Sequence, residues 1–178
     1  TLFRSLTCED RTSKVKGKLT AVFRITSHTR RKVSLFKKIT DVLNPQVYDI
    51  DKLLEIIRDD TYYHLKPKIE AVRKAKSKEE KAKKKALLPA VTWNGVFKSK
   101  NKNECVLYSS FTALDFDHIE PENMKTFGRW LQGFPCVYTY FVTPSGTGFK
   151  AIILHDNYGS LYHYDLYNQL LKLFDCPW

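Results

Sequence analysis

The segment Cys136–Leu154 reads CVYTYFVTPSGTGFKAIIL, two apolar runs that flank a short stretch of turn-forming residues. Cys136–Thr143 and Phe149–Leu154 are rich in aromatic and β-branched residues, which favour strands. Thr143–Gly148 contains one proline and two glycines, which predict a tight turn. The segment therefore predicts a β-hairpin.

The elements around this hairpin predict the fold class. Cys105–Asp117 has the pattern of a strand with a kink or turn at Ser109-Ser110, and a helix is expected from Pro121 to Gly133. A second helix follows the hairpin, with apolar residues at helical spacing at Tyr167, Leu170, Leu171 and Phe174. The order βαββα is that of an RRM or ferredoxin-like sheet whose last strand is missing. We therefore predict an α+β fold, an open edge on the first strand unless the N-terminal segment covers it, and a natural protein that continues beyond Trp178.

The preceding residues carry weaker signals. Residues 1–32 form a basic segment with one alternating stretch, 19–25, that predicts a strand. Residues 33–86 predict an α/β unit, with a helix over 50–59 capped by Asp49 or Asp51. A second helix is expected after Pro67 and through the lysine-rich stretch to Lys85, ahead of a core over 87–178. The candidate nucleic-acid-binding residues of this helix are Lys74, Lys76, Lys81, Lys84 and Lys85, although the same pattern fits a solvated helix face without a partner.

The composition restricts the class of protein. With 178 residues and 43% hydrophobic residues, the chain can build a folded core. We expect a soluble, cytoplasmic protein with no membrane partner, because neither a long apolar run nor a signal-peptide pattern is present. The dispersed cysteines favour reduced thiols over disulfides or a zinc cluster. The net charge of +11 favours a polyanionic partner such as nucleic acid, although solubility or attraction to an acidic protein also explains it.

Two aspartates form the first candidate site. Asp115 and Asp117 alternate with Leu114 and Phe116, so in a strand both carboxylates project from one face about 6.6 Å apart. Such a pair suits Mg²⁺ or Mn²⁺, which take one or two protein carboxylates together with phosphate oxygens. Solvated aspartates paired with nearby lysines are the alternative. The DxD pattern also occurs in phosphohydrolases, although His118 and the residues after it do not supply the hydroxyl group those enzymes place there.

The hairpin turn forms the second candidate site. Gly146 and Gly148 allow close approach of an anion to backbone amides, Ser145 offers a hydroxyl and Lys150 a charge suited to phosphate. A plain hairpin turn is the alternative, and no Walker loop is present. In a βαββαβ sheet the first and third strands are neighbours. The aspartates and Lys150 would then share a sheet face and form a triphosphate site.

Three stretches carry a family resemblance: Leu87–Phe97 (LLPAVTWNGVF), Leu114–Asp117 (LDFD) and Thr143–Lys150 (TPSGTGFK). In this order, within residues 33–174, they resemble the VirE N-terminal domain family. That family looks like a branch of the archaeo-eukaryotic primase (primase–polymerase) superfamily, found in replication modules of mobile elements and often coupled to a helicase.

The resemblance implies a primase-like fold and a DNA primase–polymerase that uses NTPs or dNTPs on a DNA template, in concert with a helicase. It implies that Asp115 and Asp117 are catalytic metal ligands and that Ser145, Gly146, Gly148 and Lys150 contact the nucleotide. The chain departs from the superfamily in having Lys150 where a histidine is usual, and in lacking a third acidic residue on a strand after the last helix. A non-catalytic nucleotide- or nucleic-acid-binding module of the same fold therefore stays open.

Overall fold

The chain forms antiparallel sheets and helices, which confirms the predicted α+β class. The computed structural model describes residues 31–60, 63–156 and 159–174, so the predicted strand over 19–25 lies outside the described residues. The strands are β1 (Lys32–Phe36), β2 (Gln46–Asp49), β3 (Ala90–Thr92), β4 (Gly95–Phe97), β5 (Cys105–Tyr108), β6 (Phe111–Phe116), β7 (Val137–Val142) and β8 (Phe149–Leu154). The helices are α1 (Ile50–Asp59), α2 (Leu65–Arg73), α3 (Lys78–Ala86), α4 (Met124–Gln132) and α5 (His163–Leu173).

The C-terminal sheet has the strand order β6-β8-β7, with every neighbouring pair antiparallel. The chain runs β6, α4, β7, β8, α5, which is the predicted order of elements. The expected contact between the aspartate strand and the Lys150 strand is confirmed, because β6 and β8 pair along their whole length. Among the described residues, no strand pairs with the other edge of β6.

The stretch Cys105–Asp117 is not one continuous strand, which corrects its predicted course. β5 pairs with β4 in a separate two-stranded sheet, whereas β6 pairs with β8. Ser109 is fully buried between them, and its hydroxyl donates to the Trp93 carbonyl at 2.6 Å while its amide donates to the Asn94 carbonyl at 2.9 Å. These bonds fix the chain at the junction, so the predicted kink becomes a change of sheet.

The long basic helix expected after Pro67 is also corrected, because α2 ends at Arg73 and α3 begins at Lys78. Ser77 is the N-cap of α3, and its Oγ accepts from the Glu80 amide at 3.1 Å. The Glu80 carboxylate accepts from the Lys76 amide at 2.9 Å. This reciprocal pair resembles a capping box, which starts a new helix in the middle of the lysine-rich stretch.

Two further helix predictions can be compared with the structure. The helix over 50–59 is confirmed as α1, and Asp49 is its N-cap, accepting from the Asp51 amide at 3.0 Å. α4 begins at Met124 rather than at Pro121, because the chain from Glu120 first forms a turn in which the Asn123 amide donates to the Glu120 carbonyl at 2.9 Å.

The C-terminal sheet is covered on both faces by apolar side chains. One face packs against α4 and α5 in a cluster that includes Leu114, Phe127, Phe149 and Leu170. The opposite face packs against β1 and α1 in a second cluster, whose buried members are Val33, Leu35, Ile50, Leu53, Trp93, Phe111 and Ile152. The N-terminal sheet, in the order β2-β1-β3, and the C-terminal sheet therefore share a core.

A buried polar pair lies in the α4–α5 side of the structure. Thr112 and His155 are 2% and 6% exposed, and the Thr112 hydroxyl lies 3.1 Å from His155 Nε2. Burial lowers the pKa of His155 to about 4. Burial therefore favours a neutral imidazole in the folded chain.

Two findings bear on the expectations from composition. Cys105 has a free thiol, and burial raises the pKa of this thiol. No helix within the described ranges combines the length and the apolar character needed to cross a bilayer.

Candidate functional site

The centre of the candidate site is an ion pair between Asp115 and Lys150. The two residues lie directly opposite each other on β6 and β8, and Lys150 Nζ is 2.5 Å from Asp115 Oδ1. Their side chains are 52% and 27% exposed, so both can be reached from solvent. Phe141 of β7 lies opposite Lys150 on its other side. Asp115, Lys150 and Phe141 therefore form one row across the three strands of the sheet.

The alternation of side chains on β6 explains why the pair shares a face. Leu114 and Phe116 pack into the cluster formed with α4 and α5, so Asp115 between them projects from the opposite face. Ile152 and Leu154 lie on the same face of β8 as Lys150 and belong to the cluster shared with the N-terminal sheet. The ion pair therefore lies at the end of a sheet face whose remainder is covered by that N-terminal sheet.

The turn between β7 and β8 is held by its own backbone. The Thr143 amide donates to the Gly148 carbonyl and the Gly146 amide donates to the Thr143 carbonyl, both at 2.9 Å. Gly146 has φ of 84°, a conformation that favours glycine. The Ser145 hydroxyl lies 3.0 Å from the Thr143 hydroxyl. Because the Gly146 amide is bonded within the turn, an anion there would rely more on side-chain donors.

Gly148 brings the turn against the second aspartate. A Cβ atom at Gly148 would lie 2.2 Å from the Phe116 carbonyl oxygen and 3.2 Å from Asp117 Oδ1, so this close approach requires glycine. The Ile119 amide donates to the Thr147 carbonyl at 3.0 Å and fastens the turn to the segment after β6. Asp117 is exposed, lies one residue beyond β6, and is followed by His118 with a positive φ of 61°.

The structure thus brings the main sequence candidates together. Asp115, Lys150 and the turn residues meet at one end of the C-terminal sheet, and Asp117 lies beside Gly148. Metal binding by Asp115 and Asp117 stays a prediction. Nucleotide binding also stays a prediction, for Ser145, Gly146, Gly148 and Lys150.

The five candidate lysines are distributed over the α2–α3 region. Lys74 pairs with Glu70 at 3.7 Å and Lys84 pairs with Glu80 at 2.5 Å, both within the helical stretch. Such i, i+4 pairs stabilise exposed helices by a few tenths of a kcal/mol. Lys76, Lys81 and Lys85 complete the set. Their role in binding nucleic acid stays a prediction, and two of the lysines also stabilise helices.

Sequence reasoning missed Arg73, which the structure places on the turn. Arg73 ends α2, and its Nε lies 3.4 Å from the Pro144 carbonyl oxygen. The sequence signal was only a basic residue next to a lysine-rich stretch, which does not distinguish it from its neighbours. Its position depends on a contact between residues that lie 71 apart in the chain.

Asp115 and Asp117 are the candidate metal ligands of this site. Within the part of the chain that the structure describes, no group of three or more His, Cys, Asp or Glu side chains could hold a metal ion. Asp115 and Asp117 provide hard oxygen ligands, and such a pair fits Mg²⁺ or Mn²⁺ where a substrate phosphate supplies further oxygens.

Comparison with known proteins identifies one family. The model of the BT4734-like, N-terminal domain matches residues 82–171, about half of the chain. The match spans β3 to β8 and α4, and so includes both aspartates and the complete turn, whereas Arg73 lies before it. Neither a search of curated proteins nor a search of solved structures gives a significant match. Because the family model covers half of its residues, the chain belongs to the BT4734-like N-terminal domain family.

Proposed function

We propose that this chain is a primase–polymerase-type nucleotidyltransferase domain that binds a divalent cation and an NTP or dNTP at the Asp115–Lys150 end of the C-terminal sheet. The observation that carries the proposal is the meeting of Asp115, Lys150 and the Thr143–Gly148 turn at one solvent-accessible place. Acidic metal ligands, a positively charged side chain and a glycine-containing turn are the parts that a metal–triphosphate site requires.

Each residue has a defined part in the proposed chemistry. Asp115 and Asp117 would hold Mg²⁺ or Mn²⁺ through their carboxylate oxygens. When bound, the cation would activate a 3′-hydroxyl and stabilise the departing pyrophosphate. Lys150 is neutralised by Asp115 in the free protein. A cation that takes over this carboxylate would leave the ammonium group of Lys150 available for a phosphate oxygen.

Further support comes from the sequence and the topology. The βαββα connectivity with β8 between β6 and β7 is compatible with an RRM-like, primase-like unit whose last strand is missing. The stretches Leu87–Phe97, Leu114–Asp117 and Thr143–Lys150 resemble the VirE N-terminal domain family. The net charge of +11 and the lysines of α2–α3 suit a DNA template, held through its phosphates. A helicase partner and replication of a mobile element are part of the same proposal.

Isothermal titration with a nucleoside triphosphate, in Mg²⁺ and in EDTA, tests the binding claim. We expect Mg²⁺ to strengthen binding by about tenfold or more and Asp115→Asn to remove that gain. Asp59→Asn is the matched control, because Asp59 is also a paired carboxylate, 55% exposed, with Arg58 at 3.0 Å. Equal Mg²⁺ dependence in Asp115→Asn and wild type would show that the metal does not use this site.

The alternative is a nucleotide- or nucleic-acid-binding module without catalysis. The Asp115–Lys150 ion pair favours it, because the lysine already neutralises this carboxylate without a cation. Incorporation of labelled nucleotides on a primed single-stranded DNA template separates the two. If the chain is an enzyme, it incorporates nucleotides and this activity depends on Asp115. If it is a binding module, it binds the same ligands without incorporating nucleotides.

A further inference from the structure

Arg73 contributes a positive charge to the turn from a different part of the chain. It is the last residue of α2, its side chain is exposed, and its Nε donates a weak hydrogen bond to the Pro144 carbonyl at 3.4 Å. Among the residues that the structure describes, no carboxylate lies within ion-pair distance of Arg73. Its charge is therefore not neutralised by the protein in the described region.

The side chain of Arg73 lies along the turn at Gly146. A Cβ atom at Gly146 would be 3.4 Å from Arg73 Nε, 3.8 Å from its Cδ and 3.9 Å from its Cζ. The Arg73 side chain therefore lies at ordinary contact distance from the turn, and Gly146 is favoured there by its positive φ of 84°. Arginine carries five N–H donors, and the bond to Pro144 uses the one on Nε. The N–H groups of both Nη atoms have no hydrogen-bond partner among the residues that the structure describes, and they can bind a ligand.

The positive charges of Lys150 and Arg73 differ in their availability to a ligand. Lys150 is bonded to Asp115 at 2.5 Å, so its charge is compensated in the free protein. Arg73 has no acidic partner within residues 31–60, 63–156 and 159–174, and it holds its position through a bond long enough to be exchanged readily. A planar guanidinium can also bind two phosphate oxygens at once, which an ammonium group cannot do.

We propose that Arg73 binds the terminal phosphates of the nucleoside triphosphate and closes the site from the α2 side. This inference rests on the proposed function and adds to it a phosphate ligand from the N-terminal part of the chain. The substrate phosphates would then lie at the Thr143–Gly148 turn, between Lys150 and Arg73. The recognised group is a polyphosphate, so a triphosphate is bound more tightly than a monophosphate.

Titration of the full chain with ATP and with AMP in Mg²⁺ tests this inference. We expect Arg73→Gln to weaken ATP binding about tenfold or more, and to change AMP binding less than about twofold. Arg73→Lys keeps the charge but not the two-pronged geometry, and its loss of ATP affinity should fall between those of wild type and Arg73→Gln. Arg58→Gln is the matched control, since Arg58 is an exposed arginine in the last turn of α1.

A short single-stranded DNA oligonucleotide distinguishes the two sources of phosphate. We expect Arg73→Gln and Arg58→Gln to weaken oligonucleotide binding equally. A loss specific to Arg73→Gln on the oligonucleotide, with ATP binding unchanged, would overturn the proposal and assign Arg73 to the nucleic-acid backbone. ATP binding that depends on Asp115 but not on Arg73 would overturn this inference alone. A wild-type chain that binds no ATP would overturn both it and the proposed function.

Discussion

Replacement of Gly148 by alanine tests whether the turn must lie against the aspartate segment. The added Cβ would be 2.2 Å from the Phe116 carbonyl oxygen and 3.1 Å from Asp117 Cα, both backbone atoms that cannot rotate away. Real Cβ atoms do not approach within 3.0 Å, so turn and segment must separate by roughly 1 Å. Overpacking of this kind costs about 1–3 kcal/mol.

Gly128→Ala is the matched control, and its expected effect has the opposite sign. Gly128 is a buried residue of α4, and a Cβ there would meet Phe149 at 3.5 Å and Tyr140 at 3.6 Å, which are ordinary contacts. Alanine in place of a helical glycine adds up to about 1 kcal/mol of stability. One glycine-to-alanine change should therefore destabilise the chain and the other should stabilise it or leave it unchanged.

The free energy of unfolding from urea titrations, with the nucleotide affinity measured in parallel, gives the comparison. We expect Gly148→Ala to lower the midpoint of unfolding without changing the m-value, and to weaken Mg²⁺-dependent nucleotide binding because Asp117 is displaced from the turn. An unfolding free energy within about 0.5 kcal/mol of wild type would refute the close approach of the turn to the aspartate segment. Wild-type nucleotide affinity in a destabilised Gly148→Ala would refute the link between this contact and the site.

Two other predictions concern the parts of the chain around the site. Ser77→Ala removes the N-cap of α3 and should cost about 1 kcal/mol of local stability. Amide exchange within α3 should then accelerate about fivefold, whereas Ser77→Asp should keep the wild-type rate. Equal exchange rates in all three chains would contradict the capping role of Ser77. Burial lowers the pKa of His155 to about 4, below its value of about 6.5 in an unfolded chain, so the unfolded state binds the proton more readily. Stability from the neutral imidazole is full above about pH 6.5 and declines by up to about 3 kcal/mol toward pH 4. Unfolding titrations across that range should show a smaller decline in His155→Gln than in wild type, and an identical decline would rule out His155 as the source.

The sequence patterns did not predict strands β1 and β2 of the N-terminal sheet. β1 reads KVSLF and buries Val33, Ser34, Leu35 and Phe36 in succession, so it lacks the alternation that identifies a strand with one exposed face. β2 is short and has no fully buried residue, and it gives no clear pattern either. These strands form because they pair with each other and with β3, which lies more than 40 residues further along the chain.

The sequence by itself determined the elements whose signals are local. The β7–β8 hairpin follows from two apolar runs around Thr143–Gly148, and α1 follows from its apolar spacing and an aspartate cap, for which the sequence offered Asp49 or Asp51. The alternation over Leu114–Asp117 was enough to place Asp115 on the face opposite Leu114. Such patterns are sufficient because side-chain periodicity, turn formation and capping depend only on residues close together in the chain.

Only the tertiary structure decided which distant residues meet. It set the register in which Asp115 faces Lys150, moved β5 into a separate sheet from β6, and placed Arg73 against the turn. Each of these outcomes depends on packing and hydrogen bonds between segments far apart in sequence, and a shift of one residue in register would have put Lys150 opposite a different side chain. Asp115, Asp117 and Lys150 could be named from the sequence, whereas their arrangement and the contribution of Arg73 came from the fold.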